Sequence, residues 1–376
     1  MDGTMSRRRL IAAGLGVSCG PVFAAPVVVE VPRLLAPRPL VFPRDHGSHN
    51  DTRTEWWYLT GHAHEAGGRA FGFQLTFFRS RVDGTGSLQS RLAARQLVFA
   101  HAAVTDVQGG RLWHAQRIGR WNGEPPAQTG RAVFASTADT DVAIRDWRLR
   151  RAADGRYLAQ AGGDTLRIDL TATPTQALLL QGDQGYSRKG PGAAQASFYV
   201  SQPQLAVRGR LGVQGQTVEV QGQAWLDHEW SEALMHPEAV GWDWMGMNLE
   251  GGHSLTAFQL RRKDGSALWA GGSFRAASDA QRPGGAIDFR PGEVDWRPQR
   301  HWTSPRTGAR YPVEWMVRTP ADFYTVKAVI PAQELDGQAS TGTVYWEGLS
   351  DLFDSNGRQV GRGYLEMTGY ARRLVL

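Results

Sequence analysis

The stretch QAWLDHEWSE, residues 223–232, combines side chains that can do chemistry with side chains that exclude water. Asp227 and Glu229 flank one histidine and are surrounded by large apolar residues. Charged groups next to such residues are costly unless they are paired or used in a reaction. The stretch therefore predicts a catalytic acid, a metal site or an ion-paired strand end.

Alternation along a β-strand decides which of these side chains can act together. Trp225, Asp227 and Glu229 should point to one face of a strand, and His228 and Trp230 to the other. Carboxylates two residues apart lie about 6–7 Å from each other. In an apolar cavity, desolvation and mutual repulsion would raise the pKa of one of them. The protonated acid could then donate a proton to an alkene, with water capturing the carbocation beside an aromatic face.

Two other interpretations compete with acid catalysis. Asp227 and Glu229 could cap the strand and pair with arginines at the junction between two halves of the chain. A metal site is the third possibility, but His236 follows His228 by eight positions rather than four, so the stretch is not an HExxH motif. His62 and His64 could share a strand face, although a solvated hairpin explains them as well. We predict no metal and no cofactor.

The elements that must position these residues are strands. The chain has 376 residues, 41% of them hydrophobic, and its 14 Trp and 45 Gly are typical of many short strands joined by tight turns. Alternating runs such as AFGFQLTFF, TLRIDLTAT and FYTVKAVI recur, each bounded by turn residues. The sequence predicts an all-β, antiparallel protein.

Two pairs of similar segments suggest an internal duplication. Residues 57–75 and 242–260 align without gaps. Each segment begins with tryptophan, and the two share two glycine positions and end with the sequence FQL. GQAWLD, residues 222–227, is echoed by GRGYLE, residues 361–366. Both echoes in the same order predict two copies of one β unit, each a barrel or sandwich that can enclose an apolar ligand.

These segments also suggest domain boundaries. We predict an export signal over residues 1–24, a linker over 25–39, an N-terminal domain over 40–232, a hinge over 233–237 and a C-terminal domain over 238–376.

The N-terminus has the features of an export signal. Arg7, Arg8 and Arg9 precede an apolar run, and Ala24 ends a small-residue cleavage site. The run SRRRLI resembles a twin-arginine signal. A lipoprotein anchored at Cys19 fits less well, because Gly16 stands where leucine is usual. We expect a periplasmic or secreted protein that, without its only cysteine, has no disulfide or thiol chemistry.

Charge and motifs exclude several classes of function. The net charge is +6, but the arginines are scattered and no recognition-helix pattern accompanies them, so nucleic-acid binding is not expected. No GxSxG, P-loop or dinucleotide motif is present in the sequence.

Several long motifs in fixed order carry a resemblance to a known family. DHGSHNDTRTEWWYLTG, GYSRKGPGAAQASFYVS, AWLDHEWS, GWDWMGMNLEGG, YWEG and GYLEMTGY together resemble the AttH/hydroxyneurosporene synthase family, bacterial lipocalin-like proteins related to carotenoid 1,2-hydratases. The resemblance covers roughly residues 40–376. It implies two tandem lipocalin-like barrels and a hydrophobic ligand of lipid or isoprenoid type. Fungal Diels–Alderases share a similar fold, so the scaffold alone does not fix a reaction.

The resemblance also implies a role for one carboxylate. The aspartate of the comparable D-H-x-W stretch is the proposed acid of carotenoid hydratases, and Asp227 matches it. Two residues earlier those enzymes usually have tyrosine, whereas this chain has Trp225, which carries no hydroxyl. We therefore predict Asp227, Glu229 and Trp225 as the catalytic group, with Asp227 as the acid.

Ligand-binding residues are predicted among the aromatic and polar motifs. Arg188 and Lys189 could hold an anionic head group, although a solvated loop explains them too. His49 and Glu55 could reach the same barrel mouth. The predicted ligand-binding set is His49, Glu55, Trp57, Tyr58, Arg188, Lys189, Tyr199, Trp230, Trp242 and Trp244.

Two functional hypotheses follow from these residues. The first is an exported monomer that binds an elongated hydrophobic molecule and carries out hydratase-like, acid-catalysed chemistry. The second is a periplasmic lipid carrier without catalysis, or an accessory to an ABC transporter or attachment system.

Overall fold

Alternating sequences become strands along nearly the whole described chain. The computed structural model describes residues 34–85, 90, 93–125, 132–277 and 285–374. The predicted export signal lies outside these residues, so export stays a prediction. Within these residues, helix is limited to two short 3-10 segments, Arg44–His46 and Glu250–Gly252. No helix among the described residues is long and apolar enough to cross a membrane.

The first half of the chain forms one antiparallel sheet of 13 strands. Its main order is β4-β3-β2-β1-β13-β12-β9-β8-β7-β6-β5, and two short strands, β10 and β11, pair with β12. The strands are β1 (Thr54–His64), β2 (Ala70–Arg81), β3 (Gln96–Asp106), β4 (Arg111–Trp121), β5 (Val133–Ala135), β6 (Asp141–Ile144), β7 (Trp147–Arg151), β8 (Tyr157–Gly162), β9 (Leu166–Thr173), β10 (Leu179–Leu180), β11 (Tyr186–Arg188), β12 (Ala196–Val213) and β13 (Gln216–Ser231).

Period-two burial explains why this sheet curls around a core. In β9, every second residue from Leu166 onward is buried and the others face outward. The sheet bends until β4 approaches β5 and β6, which makes it barrel-like. A two-residue turn with positive φ at Gln214 and Gly215 joins its longest strands, β12 and β13, as tight hairpins require.

The second half forms a similar antiparallel sheet of ten strands. Its order is β17-β16-β15-β14-β23-β22-β20-β19-β18, and β21 pairs with β22. The strands are β14 (Gly241–Leu249), β15 (Ser254–Arg261), β16 (Ala267–Arg275), β17 (Ala286–Phe289), β18 (Asp295–Thr303), β19 (Arg310–Arg318), β20 (Phe323–Ala328), β21 (Glu334–Gly337), β22 (Thr343–Phe353) and β23 (Gln359–Met367). The prediction of two antiparallel β units with little helix is confirmed, whereas the exact domain boundaries stay a prediction.

The two sheets repeat one topology, but only one of the two sequence echoes marks equivalent positions. Asp227 lies opposite Tyr58 in the first sheet, and Glu366 lies opposite Trp244 in the second. This register supports the echo between β13 and β23. The other pair of similar segments is out of register by one residue, because Trp57 packs in the core of the first sheet whereas Trp242 lies outside the core of the second. A shift of one residue moves a side chain to the other face of a strand.

The sheets pack against each other through small, polar and aromatic side chains. Gly72 in β2 marks a close approach of the sheets, since a Cβ built there would lie 2.8 Å from the Tyr364 hydroxyl and 3.0 Å from Leu349 Cβ. His101 in β3 adds a hydrogen bond of 2.7 Å to the hydroxyl of Tyr345 in β22. Both sheets belong to one compact unit.

Gly72→Ala should therefore weaken the contact between the sheets. Its methyl group would meet the hydroxyl of the buried Tyr364 and the Cβ atoms of Leu349 and Thr105, and overpacking of this kind costs about 1–3 kcal/mol. Urea unfolding followed by tryptophan fluorescence would measure the loss. Gly67→Ala is the matched control, because the nearest atom there, at 3.4 Å, ends the flexible Glu65 side chain. Equal stability of both variants would contradict the assigned contact.

Candidate active site between the two sheets

A cavity of about 240 Å³ lies where the two sheets face each other. Strands β1 and β13 form one wall, and β14, β15, β22 and β23 form the opposite wall. Its lining is mainly apolar and aromatic. The residues used below that line it are Tyr58, Lys189, Tyr199, Asp227, Glu229, Leu234, Trp242, Trp244, Phe258, Glu347 and Glu366.

Asp227 is held in the cavity wall by three hydrogen bonds. Its Oδ1 accepts hydrogen bonds from the Ser201 hydroxyl, at 2.6 Å, and from the Trp225 indole N–H, at 2.7 Å. Its Oδ2 accepts a bond of 2.7 Å from the Tyr199 hydroxyl. The residue is 3% exposed. Neighbouring strands β12 and β13 supply these donors, which fix the carboxyl against the cavity wall.

Burial raises the pKa of Asp227 to about 7, because desolvation outweighs the three hydrogen bonds, which favour the charged form. The negative charge of nearby Glu229 raises this pKa further. A carboxyl with such a pKa exists in both protonation states near neutral pH. Asp227 can therefore act as a general acid.

A second hydrogen bond extends this arrangement to the other sheet. The indole N–H of Trp244 in β14 donates to the Tyr199 hydroxyl at 2.9 Å. Tyr199 thus connects Trp244 with Asp227, and it is a hydroxyl donor that sequence reasoning did not assign to the acid. The position two residues before Asp227 lacks a hydroxyl, as predicted, but Trp225 contributes an N–H donor instead.

Glu229 has a different partner from the predicted arginines. The Lys189 Nζ lies 3.1 Å from its Oε1, and both side chains are buried. The same ammonium lies 4.4 Å from the ring centre of Tyr199 and 4.3 Å from that of Phe258. Lys189 therefore lines the cavity as a paired cation, held by one carboxylate and two aromatic faces.

Sequence reasoning missed a second pair of carboxyls, Glu347 in β22 and Glu366 in β23. The two residues are directly opposite each other in the strand pairing. Burial, followed by the charge of its neighbour Glu366, raises the pKa of Glu347 well above its usual range. Burial also raises the pKa of Glu366 to about 7, although a hydrogen bond from Trp242 opposes the shift. Glu347 lies in the motif YWEG and Glu366 in GYLEMTGY. The similarity of GRGYLE to GQAWLD, which aligns Glu366 with Asp227, could have identified Glu366 as a second candidate acid.

The opposite face of β1 and β13 carries a separate polar network. Glu55 accepts hydrogen bonds of 2.9 Å from His49 Nδ1 and from His228 Nε2. Trp57 stacks on His228 with ring centres 4.8 Å apart, and Trp230 stacks on His49 at 3.7 Å. His49 and Glu55 do come together, as predicted. Glu55 is among the cavity-lining residues, but His49, Trp57 and Trp230 are not. Trp57 and Trp230 lie on the other face of their strands, and His49, which precedes β1, packs against that face.

The charges within this network are matched. Arg79 is 1% exposed and donates from its Nε to Glu55 Oε2 at 2.8 Å. Burial alone would raise the pKa of Glu55, but Arg79 and the two histidines hold it well below its usual range. Burial lowers the pKa of His49, yet its bonds to Asp45 and Glu55 outweigh this effect and raise that pKa.

His49, Glu55 and His228 could hold a metal ion by distance alone, since their ligand atoms lie within 4.8 Å of one another. The chemistry of the group is less suitable. The two imidazoles donate directly to one carboxylate oxygen, and the other oxygen is engaged by the Arg79 guanidinium and the Ser48 hydroxyl. A cation would have to displace these bonds beside an arginine, so we interpret the network as structural. The absence of a metal stays a prediction.

Arg188 does not reach the cavity. Its guanidinium is exposed, donates to carbonyls of its own turn at Gly190, Pro191 and Gly192, and stacks on Trp269. The predicted pair Arg188 and Lys189 is therefore split, with only Lys189 pointing inward.

Comparison with known proteins places this architecture in a family. The model of the AttH-like family matches residues 33–370. An AttH candidate from Nitrosomonas europaea is similar over 90% of this chain and 100% of its own, with 42% identity and a TM-score of 0.81. Kievitone hydratase from Nectria haematococca shares the fold at 14% identity and a TM-score of 0.66, covering 89% of this chain and 94% of its own. CghA with Sch210972 has a TM-score of 0.51 at 14% identity, with the same coverage.

A search of curated proteins gave no match. The family match extends over nearly all of the described chain, and the similarity to the Nitrosomonas protein extends over its whole length. The chain belongs to the AttH-like family.

Proposed function

We propose that the cavity binds an elongated apolar molecule of lipid or isoprenoid type, and that Asp227 protonates an alkene of this molecule in a hydratase reaction. The observation that carries the proposal is a buried carboxyl, with a pKa of about 7, held by three donors in the wall of an apolar cavity. The fold shared with a hydratase adds support at the level of the scaffold.

The proposed step balances without a cofactor. Protonated Asp227 gives its proton to one alkene carbon, so a C–H bond forms and the neighbouring carbon becomes a carbocation. Water attacks this carbon and loses a proton to the Asp227 carboxylate, which restores the acid. The ionised carboxylates of the cavity wall stabilise the positive charge.

The cellular location belongs to the same proposal. Cleavage of the N-terminal signal would place the folded chain in the periplasm, where the cavity could receive a lipid from the membrane. Partners such as an ABC transporter would fit a carrier, in which Asp227 holds the ligand without transferring a proton.

Binding can be tested before any substrate is known. Mass spectrometry of lipids that co-purify with the protein should detect an apolar ligand, and adding that ligand should change the tryptophan emission, because Trp242 and Trp244 line the cavity. Leu234→Trp should fill part of the cavity and weaken binding about tenfold or more. Leu178→Trp is the matched control, since Leu178 is partly buried outside the cavity lining. Equal loss in both variants, or no apolar ligand at all, would contradict the proposal.

A further inference from the structure

Glu347 is a buried carboxyl whose oxygens both lack a hydrogen-bond partner among the described residues. It is 3% exposed and lines the cavity. The Tyr58 and Tyr345 hydroxyls approach it closely enough to oppose the rise in its pKa, but neither forms a hydrogen bond of ordinary geometry with it. Tyr58, which also lines the cavity, has an unpartnered hydroxyl as well. Unpaired polar atoms in a buried wall are costly unless a ligand satisfies them.

Because the two sheets share one topology, Glu366 and its strand neighbour can be compared with Asp227 and its strand neighbour. Asp227 lies opposite Ser201 in the first sheet, and Glu366 lies opposite Glu347 in the second. Where the first sheet places a hydroxyl that donates to the acid, the second places another carboxyl. Two adjacent carboxyls repel each other when ionised, so both can carry charge together only beside a positive partner.

No basic side chain of the described cavity lining pairs with Glu347 or Glu366. Arg79 is engaged by Glu55, Lys189 pairs with Glu229, and His101 is kept neutral because burial lowers its pKa to about 3. The acidic end of the cavity therefore has no cation of its own among these residues.

Aromatic walls stand next to the two carboxyls. Tyr58 and Trp244 meet edge to face, with ring centres 5.3 Å apart and an interplanar angle of 88°. Perpendicular aromatic walls beside carboxylates are the surroundings in which ammonium groups bind well. The chain already uses this chemistry in the same cavity, where the Lys189 ammonium contacts Glu229 and the rings of Tyr199 and Phe258.

We propose that Glu347, Glu366, Tyr58 and Trp244 form a subsite for a positively charged amine at one end of an otherwise apolar ligand. The proposal rests on the proposed apolar binding in the cavity and specifies the ligand class further. The ammonium group lies between the two carboxyls and the aromatic walls, and the apolar chain extends towards Asp227.

Calorimetric titration of the purified protein with decylamine, decanol and decanoate tests the subsite at one pH. The three probes share a chain and differ in head group. Decylamine should bind about tenfold to a hundredfold more tightly than decanol, and decanoate most weakly, since a buried charge pair and a cation–π contact favour only the amine. Equal affinity of amine and alcohol would overturn the subsite and leave the apolar cavity intact. Absence of binding by all three would contradict both proposals.

Variants locate the effect. Glu347→Gln and Glu366→Gln should each weaken decylamine binding about tenfold or more and change decanol affinity little, because they remove charge and keep shape. Glu314→Gln is the control, since this residue pairs with Arg300 and Lys327 outside the cavity lining. A thermal melt checks that each variant is folded. The comparison of probes on the unmodified protein decides the question if one variant does not fold. Unchanged amine affinity in both folded cavity variants would overturn the assignment.

Discussion

Asp227→Asn should abolish turnover of any alkene that the native protein hydrates, while leaving ligand binding nearly unchanged. Asparagine keeps the shape of the side chain, and its carbonyl oxygen can accept the bonds that Ser201 and Trp225 donate to Oδ1. Its amide nitrogen cannot accept the bond that Tyr199 donates to Oδ2, and the side chain cannot donate a carboxylic proton. General acid catalysis contributes roughly 10²–10⁴ in rate, so the loss will be plain in an assay of alcohol formation. The lipid found to co-purify with the protein is the first substrate to test.

The pH profile gives a second measurement of the same acid. Because Asp227 must be protonated to donate, turnover should be highest below its pKa and fall as the pH rises through about 7. The free energy of unfolding of Asp227→Asn should not fall below that of the native protein near neutral pH. A raised pKa in the folded state means that the ionised carboxyl costs stability as the pH rises towards 7, and the neutral amide removes this cost.

Tyr199→Phe is the companion variant, since it removes one donor to the carboxylate but leaves the acid in place. Its pH profile should shift to a higher pKa, because a hydrogen bond that favours the ionised form is lost. Turnover that persists in Asp227→Asn at the native rate would end the catalytic assignment and leave a carrier as the function.

Arg79→Ala should cause the largest loss of stability among simple substitutions in the polar network. The guanidinium makes bonds of 2.8 Å to Glu55 and to Gln96, and further bonds to Thr52 and to the His49 carbonyl. Its removal leaves Glu55 buried beside two histidines without its strongest partner. Breaking a buried ion pair in this way costs about 3–5 kcal/mol.

Denaturant unfolding at neutral pH measures this loss, and its pH dependence identifies the cause. In the native protein the depressed pKa of Glu55 contributes stability above the unfolded pKa, and this contribution is lost as the pH falls through the folded pKa. In Arg79→Ala the carboxyl can be protonated instead, so the difference from the native protein should shrink in acid. Arg156→Ala is the control, because its pair with Asp154 is exposed and should matter little. A difference that stays constant from neutral to acid pH would contradict the electrostatic explanation.

Asp227 and Glu229 illustrate what the sequence alone can predict. Alternation on a strand predicted that Trp225, Asp227 and Glu229 share one face, and the cavity confirms this geometry. A carboxyl among tryptophans also predicts a raised pKa for Asp227, provided that this strand face is buried. Local period and side-chain chemistry are sufficient for such inferences, because they depend on neighbours within a few residues.

The orientation of Lys189 and the location of Glu347 could not be predicted from the sequence. Whether Lys189 or Arg188 points inward depends on the turn after β11, which directs one side chain to the cavity and the other to solvent. Glu347 lies 120 residues from Asp227 along the chain, and only the packing of β22 and β23 against β1 and β13 brings both into one cavity.

The sequence by itself determined the all-β class, the resemblance to the family and the strand face on which Asp227 lies, because each depends on local pattern. The tertiary structure decided the register between strands, and with it the location of each aromatic side chain. Trp57 and Trp242 look equivalent in the sequence, yet one packs inside a barrel and the other lines the cavity. Register between strands is set by turn lengths and long-range pairing, and a slip of one residue exchanges the two faces.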